Sequence, residues 1–177
     1  MQIFVVPRFY VERQFDKDPD WIQGKWIISI FSSGDVSPIP DRYNILKLEF
    51  DDITELLPVD AEAGLILFNE DHAKQIHEFF DTLTEDRQLF VHCDAGVSRS
   101  GAVGYLANEY FNKYKKLERE ASEAFTYDNK HIMPNPLVTR LLKRELFGQD
   151  YSTVFETPKA DEEAMAKLEE KFNEVFM

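Results

Sequence analysis

Apolar residues run along this chain in short blocks separated by polar stretches rich in Pro, Gly, Ser and Asp, and the blocks read as strands alternating with helices. Residues 2–6 are β-rich and predict a first strand. Residues 10–25 carry charges, Asp18-Pro19-Asp20 and Gly24, and predict a short helix or loop. Trp26 opens a second strand over 26–31, closed by Ser32-Ser33-Gly34-Asp35, and residues 45–50 predict a third. Connections of about ten or more residues between such strands suit parallel pairing in one sheet, with helices on its faces. Asn69 caps a helix whose first turn holds Glu70 and Asp71, where the helix dipole favours negative charge. Its apolar face (Ala73, Ile76, Phe79, Phe80, Leu83) should pack on the sheet before a further strand at 88–92.

Downstream, Val103, Leu106, Tyr110, Phe111 and Tyr114 fall at helical spacing and predict one long helix over 98–115. A second helix is expected over 117–126. A third starts at Asn135-Pro136, a good cap followed by proline at the first helical position, and stops at Gly148. Residues 56–68, with Pro58, Gly64 and the short run Leu65 to Phe68, read as a loop docked on the core, with an added flap as the alternative. The tail predicts a separate amphipathic helix on Met165, Leu168, Phe172, Val175 and Phe176. It is expected to pack back on the domain, leaving a monomer, with a dimer through that helix as the alternative. The expected organisation is a catalytic domain over 1–150 and a helical extension over 151–177.

Composition narrows the function. A chain of 177 residues with 44% hydrophobic content and 15 Phe can bury a core without staples. Its single Cys excludes an internal disulfide and, if reactive, calls for a reducing compartment, so the cytoplasm is expected. The first residues lack the basic segment and apolar run of a signal peptide, and no stretch is apolar enough to span a membrane. A formal net charge of −13 argues against nucleic acid and anionic membranes as partners. An anionic substrate would therefore need a local positive site.

Residues 91–101 supply one. Val-His-Cys-Asp-Ala-Gly-Val-Ser-Arg-Ser-Gly follows an apolar run and precedes a helical pattern. A strand that turns through a tight loop into a helix aims successive backbone N–H groups at one concavity, a ready-made anion site. The amides of Asp94, Ala95, Gly96, Val97, Ser98 and Arg99 are the right set to ring one tetrahedral oxyanion. Gly96 supplies the backbone angles and the close approach. Thiolates are nucleophiles favoured at helix N-termini and beside cations, which marks Cys93. Arg99 can grip two phosphate oxygens with its planar fork. The Ser100 hydroxyl can donate to the sulfur and ease its departure. His92 lies on the opposite side of the strand from Cys93 and is expected to order the loop by bonding backbone, without acting as a base.

This stretch resembles the signature of the cysteine-dependent protein tyrosine phosphatases, H-C-x-x-G-x-x-R-[ST], and is most similar to the dual-specificity branch and its small microbial relatives. The resemblance covers roughly residues 26–147. It implies an α/β phosphatase fold, a single domain with a largely parallel central sheet flanked by helices and the phosphate-binding loop between a strand and the central helix. It also implies hydrolysis of phosphotyrosine, with phosphoserine and phosphothreonine as further candidates, on a phosphorylated protein partner, through a phosphocysteine and with no metal or cofactor. An upstream Asp should protonate the leaving oxygen. Asp52, just past the third strand, matches that context best. Asp51 is its neighbour, and Asp60 fits the usual spacing to the Cys but not the strand context. Pro134-Asn135 resembles the element that buttresses the phosphate loop. A phosphoprotein-binding module without turnover is the alternative function. A rhodanese-like or arsenate-reductase-like use of the loop fits Gly96 and Ser100 poorly.

Overall fold

In a computed structural model, residues 1–84, 86–115 and 119–148 are described. The predicted helix of the 151–177 extension lies outside them. The described chain runs β1 (Ile3–Pro7), α1 (Arg8–Lys17), a 3₁₀ turn (Pro19–Ile22), β2 (Lys25–Phe31), β3 (Ile45–Glu49), α2 (Pro58–Glu62), α3 (Glu70–Thr82), β4 (Gln88–Cys93), α4 (Arg99–Asn108), a π-helical turn (Glu109–Tyr114), α5 (Arg119–Asp128) and α6 (Pro136–Phe147).

The four strands form one all-parallel sheet in the order β1-β4-β2-β3. The inner strands β2 and β4 are buried almost throughout, the reason they read as continuous apolar runs. Alternation divides their side chains between two cores. Ile28, Ile30 and Val91 meet α3, α4 and α6 on one face, whereas Ile27 and Phe90 meet Val11 and Ile22 beneath α1 on the other. Register places Pro7 beside Cys93 and Ile28 beside Val91. All four strands therefore end at the same edge, where an open parallel sheet presents its ligand crevice.

Several expectations shift in detail. Where the sequence predicted a short helix or loop over 10–25, a full helix starts directly at Arg8 with Pro7 before it. The third strand runs to Glu49, and Phe50 extends its inward face, its N–H donating to Phe31 O (3.0 Å) and its ring packing against Phe68. Residues 56–68 dock on the core only at their end, whereas Leu56, Leu57 and Val59 stay exposed. They carry the short α2, Ile66 pairs with Asp51 through the backbone (Asp51 N to Ile66 O, 2.8 Å), and Phe68 is buried. The long helix over 98–115 is α-helical only to Asn108 and then widens. In the wider turn Asn112 faces inward, donating to Asn108 Oδ1 (2.8 Å) and to Met1 O (3.1 Å). Both predicted asparagine caps form. Asn69 Oδ1 accepts from His72 N–H, and Asn135 Oδ1 accepts from the N–H groups of Leu137 and Val138. Gly148 ends α6 with φ 82°.

Candidate active site

The loop between β4 and α4 is built by close backbone contact. Gly96 has φ +72°, and a Cβ there would lie 2.5 Å from Pro7 N and 2.6 Å from Val6 C. Its freedom thus serves an approach to the end of β1. Three loop carbonyls point outward to the scaffold. Asp94 O accepts from Arg8 N (3.2 Å), Val97 O from Met133 N (3.1 Å) and Ser98 O from Asn135 N (3.1 Å). A trans peptide sets N–H opposite C=O, so the N–H groups of Ala95, Ser98 and Arg99 face the loop interior. Cys93, 2% exposed, ends β4 with Sγ 3.0 Å from Ser100 Oγ.

Arg99 opens α4, with 4% of its surface exposed. Its Nη1 donates to Phe50 O (2.8 Å) and Ser32 Oγ (3.0 Å), and its Nη2 pairs with Asp94 Oδ2. Its Nε is buried and has no hydrogen-bond partner among the described residues. Both Nη atoms are thus engaged by the protein, and the Nε N–H is the donor left over. Asp94 is held in turn by Ser32 Oγ (3.1 Å) and lies 3.9 Å from Arg8 Nη1.

The two adjacent aspartates after β3 go different ways. Asp51 is 7% exposed and accepts from Ile66 N–H (2.8 Å) and Ser33 N–H (3.3 Å). Burial alone would raise its carboxyl, but those N–H groups and the nearby Arg99 charge hold it below the ordinary carboxylate range. It is an ionised structural clamp. Asp52 is exposed and reaches the loop, its Oδ1 accepting from Ser98 Oγ (2.7 Å) and Asn135 Nδ2 (2.7 Å). Asp60 caps the first turn of α2, accepting from Leu57 N–H (3.1 Å). Of the three candidates, Asp52 is the one bonded to the loop.

No family model matches the chain, and no curated protein does. Among solved structures, the human tyrosine phosphatase-like serine/threonine/tyrosine-interacting protein is similar at TM-score 0.51 and 20% identity, over 80% of this chain and 89% of that one. The Cydia pomonella PTP-2 phosphatase aligns at TM-score 0.48 and 19% identity, over 81% and 84% of the two chains. The OH1 tyrosine phosphatase of Orf virus aligns at TM-score 0.44 and 12% identity, over 82% of each. The first of these, joined to the parallel sheet and the loop described above, decides the fold. The chain has the tyrosine-phosphatase fold.

Within that fold, Cys93, Arg99, Ser100, Asp52, Ser98 and Asn135 come together, and His92 stands apart. The bond expected from His92 to the loop backbone does not form, because both ring nitrogens are buried without a partner among the described residues. Burial, helped by the nearby Arg8 charge and opposed by Asp94, holds His92 down at about 4. The unfolded ring takes up its proton below about 6.5, the folded one only near 4. The resulting stability is fully present above 6.5 and drains away as the pH falls between those values. Urea unfolding of the wild type should therefore lose about 3 kcal/mol more than His92→Asn between pH 6.5 and 4. Parallel pH profiles would refute this.

Two contributors, Ser32 and Arg8, lie outside the loop motif. Ser32 carries only a strand-stop signal in sequence, yet a polar residue just past a parallel strand sits at the crevice edge. Arg8 follows β1 in the same way, and its guanidinium bridges Glu12 (2.8 Å), Val36 O (3.1 Å) and the neighbourhood of Asp94.

Proposed function

We propose that the chain is a phosphomonoester hydrolase that removes phosphate from phosphotyrosine proteins, with phosphoserine and phosphothreonine as further substrates. The observation that carries this reading is the loop itself. The loop from Cys93 to Arg99 has three carbonyls tied to the scaffold, which supports a reading in which its amides and the buried Arg99 guanidinium receive the phosphoryl group beside Cys93 Sγ. Cys93 attacks phosphorus in line, forming an S–P bond as the P–O bond to the substrate breaks. Arg99 and the loop amides hold the equatorial oxygens and stabilise the charge that spreads over them. Asp52 protonates the leaving oxygen and then takes a proton from the water that cleaves the phosphocysteine. Ser100, 3.0 Å from the sulfur, stabilises the departing thiolate. The reaction is assigned to residues 1–150 acting as a monomer in a reducing compartment such as the cytoplasm, where Cys93 stays a thiol.

The test is phosphate release from a phosphotyrosine peptide in the presence of reductant. Asp52→Asn should lower kcat by about 10²- to 10⁴-fold on the peptide. Asp60→Asn should fall less than about threefold, since its carboxylate only caps α2. Loss at Asp60 with retention at Asp52 would move the acid to the spacing-based candidate. Peptide binding by a folded wild type with no phosphate release would identify a phosphoprotein-binding module instead.

A further inference from the structure

We propose that Ser98 and Asn135 are positioning residues that hold the Asp52 carboxyl by Oδ1 alone, seating the acid before substrate arrives and assigning its transferable proton to Oδ2. The inference rests on the reading of Asp52 as the acid. Ser98 Oγ and Asn135 Nδ2 both donate to Oδ1, each at 2.7 Å. Two donors occupy both lone pairs of that oxygen, so the proton of the neutral acid resides on Oδ2. The orientation of the Asn135 amide follows from its bonds. Its Oδ1 accepts from Leu137 and Val138 N–H, which turns Nδ2 toward Asp52.

Both donors sit on fixed points outside the segment that carries Asp52. Ser98 occupies the capping position of α4, where a serine hydroxyl ordinarily accepts from a helix N–H. Here it makes no such bond and donates to Asp52. Asn135 is 3% exposed, and its backbone N–H is bound to Ser98 O. Behind Asp52, Asp51 pins the same segment to Ser33 and Ile66. One carboxylate of the doublet is therefore tied to the scaffold and the next to the phosphate loop.

In the first step the Oδ2 proton passes to the ester oxygen as its bond to phosphorus breaks and the Cys93 sulfur bonds to phosphorus. Asp52 is left a carboxylate whose Oδ1 already accepts two hydrogen bonds, and those bonds strengthen as the charge appears. In the second step water bonds to phosphorus, the S–P bond breaks, and the water proton returns to Oδ2.

The experiment compares kcat/KM, which reports cleavage of the P–O bond, on phenyl phosphate, whose leaving oxygen needs a proton, with kcat/KM on 2,4-dinitrophenyl phosphate, whose leaving group departs without one. Variants are Ser98→Ala, Ser98→Thr, Asn135→Ser (which keeps a capping hydroxyl) and Asp52→Asn, each checked for folding by thermal melting. The phenyl to dinitrophenyl ratio should fall about tenfold in Ser98→Ala and in Asn135→Ser, most of all in Asp52→Asn, and return toward the wild-type value in Ser98→Thr. Adding Ser98→Ala to Asp52→Asn should leave the ratio where Asp52→Asn put it. Equal slowing of both esters in Ser98→Ala, or no change, overturns the clamp while a lowered ratio in Asp52→Asn keeps the acid in place. An unchanged ratio in Asp52→Asn removes the acid assignment and the clamp with it.

Discussion

Cys93→Ser is expected to reduce phosphate release from a phosphotyrosine peptide by about 10⁴-fold or more while the protein remains folded. Serine preserves the size of the side chain, fits the 2% exposed position, and can keep the hydrogen bond to Ser100 Oγ now made by Sγ at 3.0 Å. The packing of β4 against β1 and β2 does not depend on the sulfur. What the substitution removes is a polarisable nucleophile that is also a good leaving group, and both halves of the reaction need it. The hydroxyl must lose a tightly held proton before it attacks, and a phosphoserine formed in its place would not hydrolyse readily. Phosphate release by purified Cys93→Ser, with thermal melting as the control for folding, checks this. Activity within tenfold of wild type would place the nucleophile elsewhere.

Arg99→Lys should lower kcat/KM by about 10³-fold, with losses in both substrate binding and turnover. The guanidinium performs two tasks at once. Nη1 and Nη2 fasten it to Phe50 O, Ser32 and Asp94, and in the proposed reaction an arriving phosphate competes with Asp94 for the guanidinium. A lysine ammonium is a single point donor that cannot satisfy this protein-side set and still present a planar edge to phosphate. The variant also withdraws the guanidinium from Asp94, leaving a carboxylate near the mouth of a site meant for a dianion. The distinguishing measurement is steady-state kinetics on the phosphopeptide together with inhibition by inorganic phosphate. Both kcat/KM and phosphate affinity should fall. Retention of either within threefold would contradict the assigned role.

The parts of this molecule that were legible in its sequence are those set by local chemistry. The apolar run before Cys93, Gly96 in the loop and the helical pattern after Arg99 define a strand–loop–helix unit without reference to anything distant. Asn69 and Asn135 act as caps because capping is a contact of two or three residues. The illegible parts are those decided by long-range partners. Asp51 and Asp52 are chemically identical neighbours, and they separate only because Ile66 and Ser33 claim one while Ser98 and Asn135 claim the other. Ser32 contacts Arg99 from 67 positions away, a pairing that no periodicity encodes. The Ser98 hydroxyl finds Asp52 46 positions away, a partner the loop motif does not specify. The place of His92 beside Cys93 suggests a hydrogen bond to the loop backbone, but the interior of the sheet offers its ring none among the described residues.

The central claim is that phosphate passes through Cys93. The most direct measurement is to quench the wild-type protein in denaturant during turnover of a phosphotyrosine peptide and to locate any protein-bound phosphoryl group by mass spectrometry. A phosphoryl group on the peptide that contains Cys93, absent from Cys93→Ser, is the predicted result. Phosphate release with the group on another residue, or release that persists unchanged in Cys93→Ser, would contradict it.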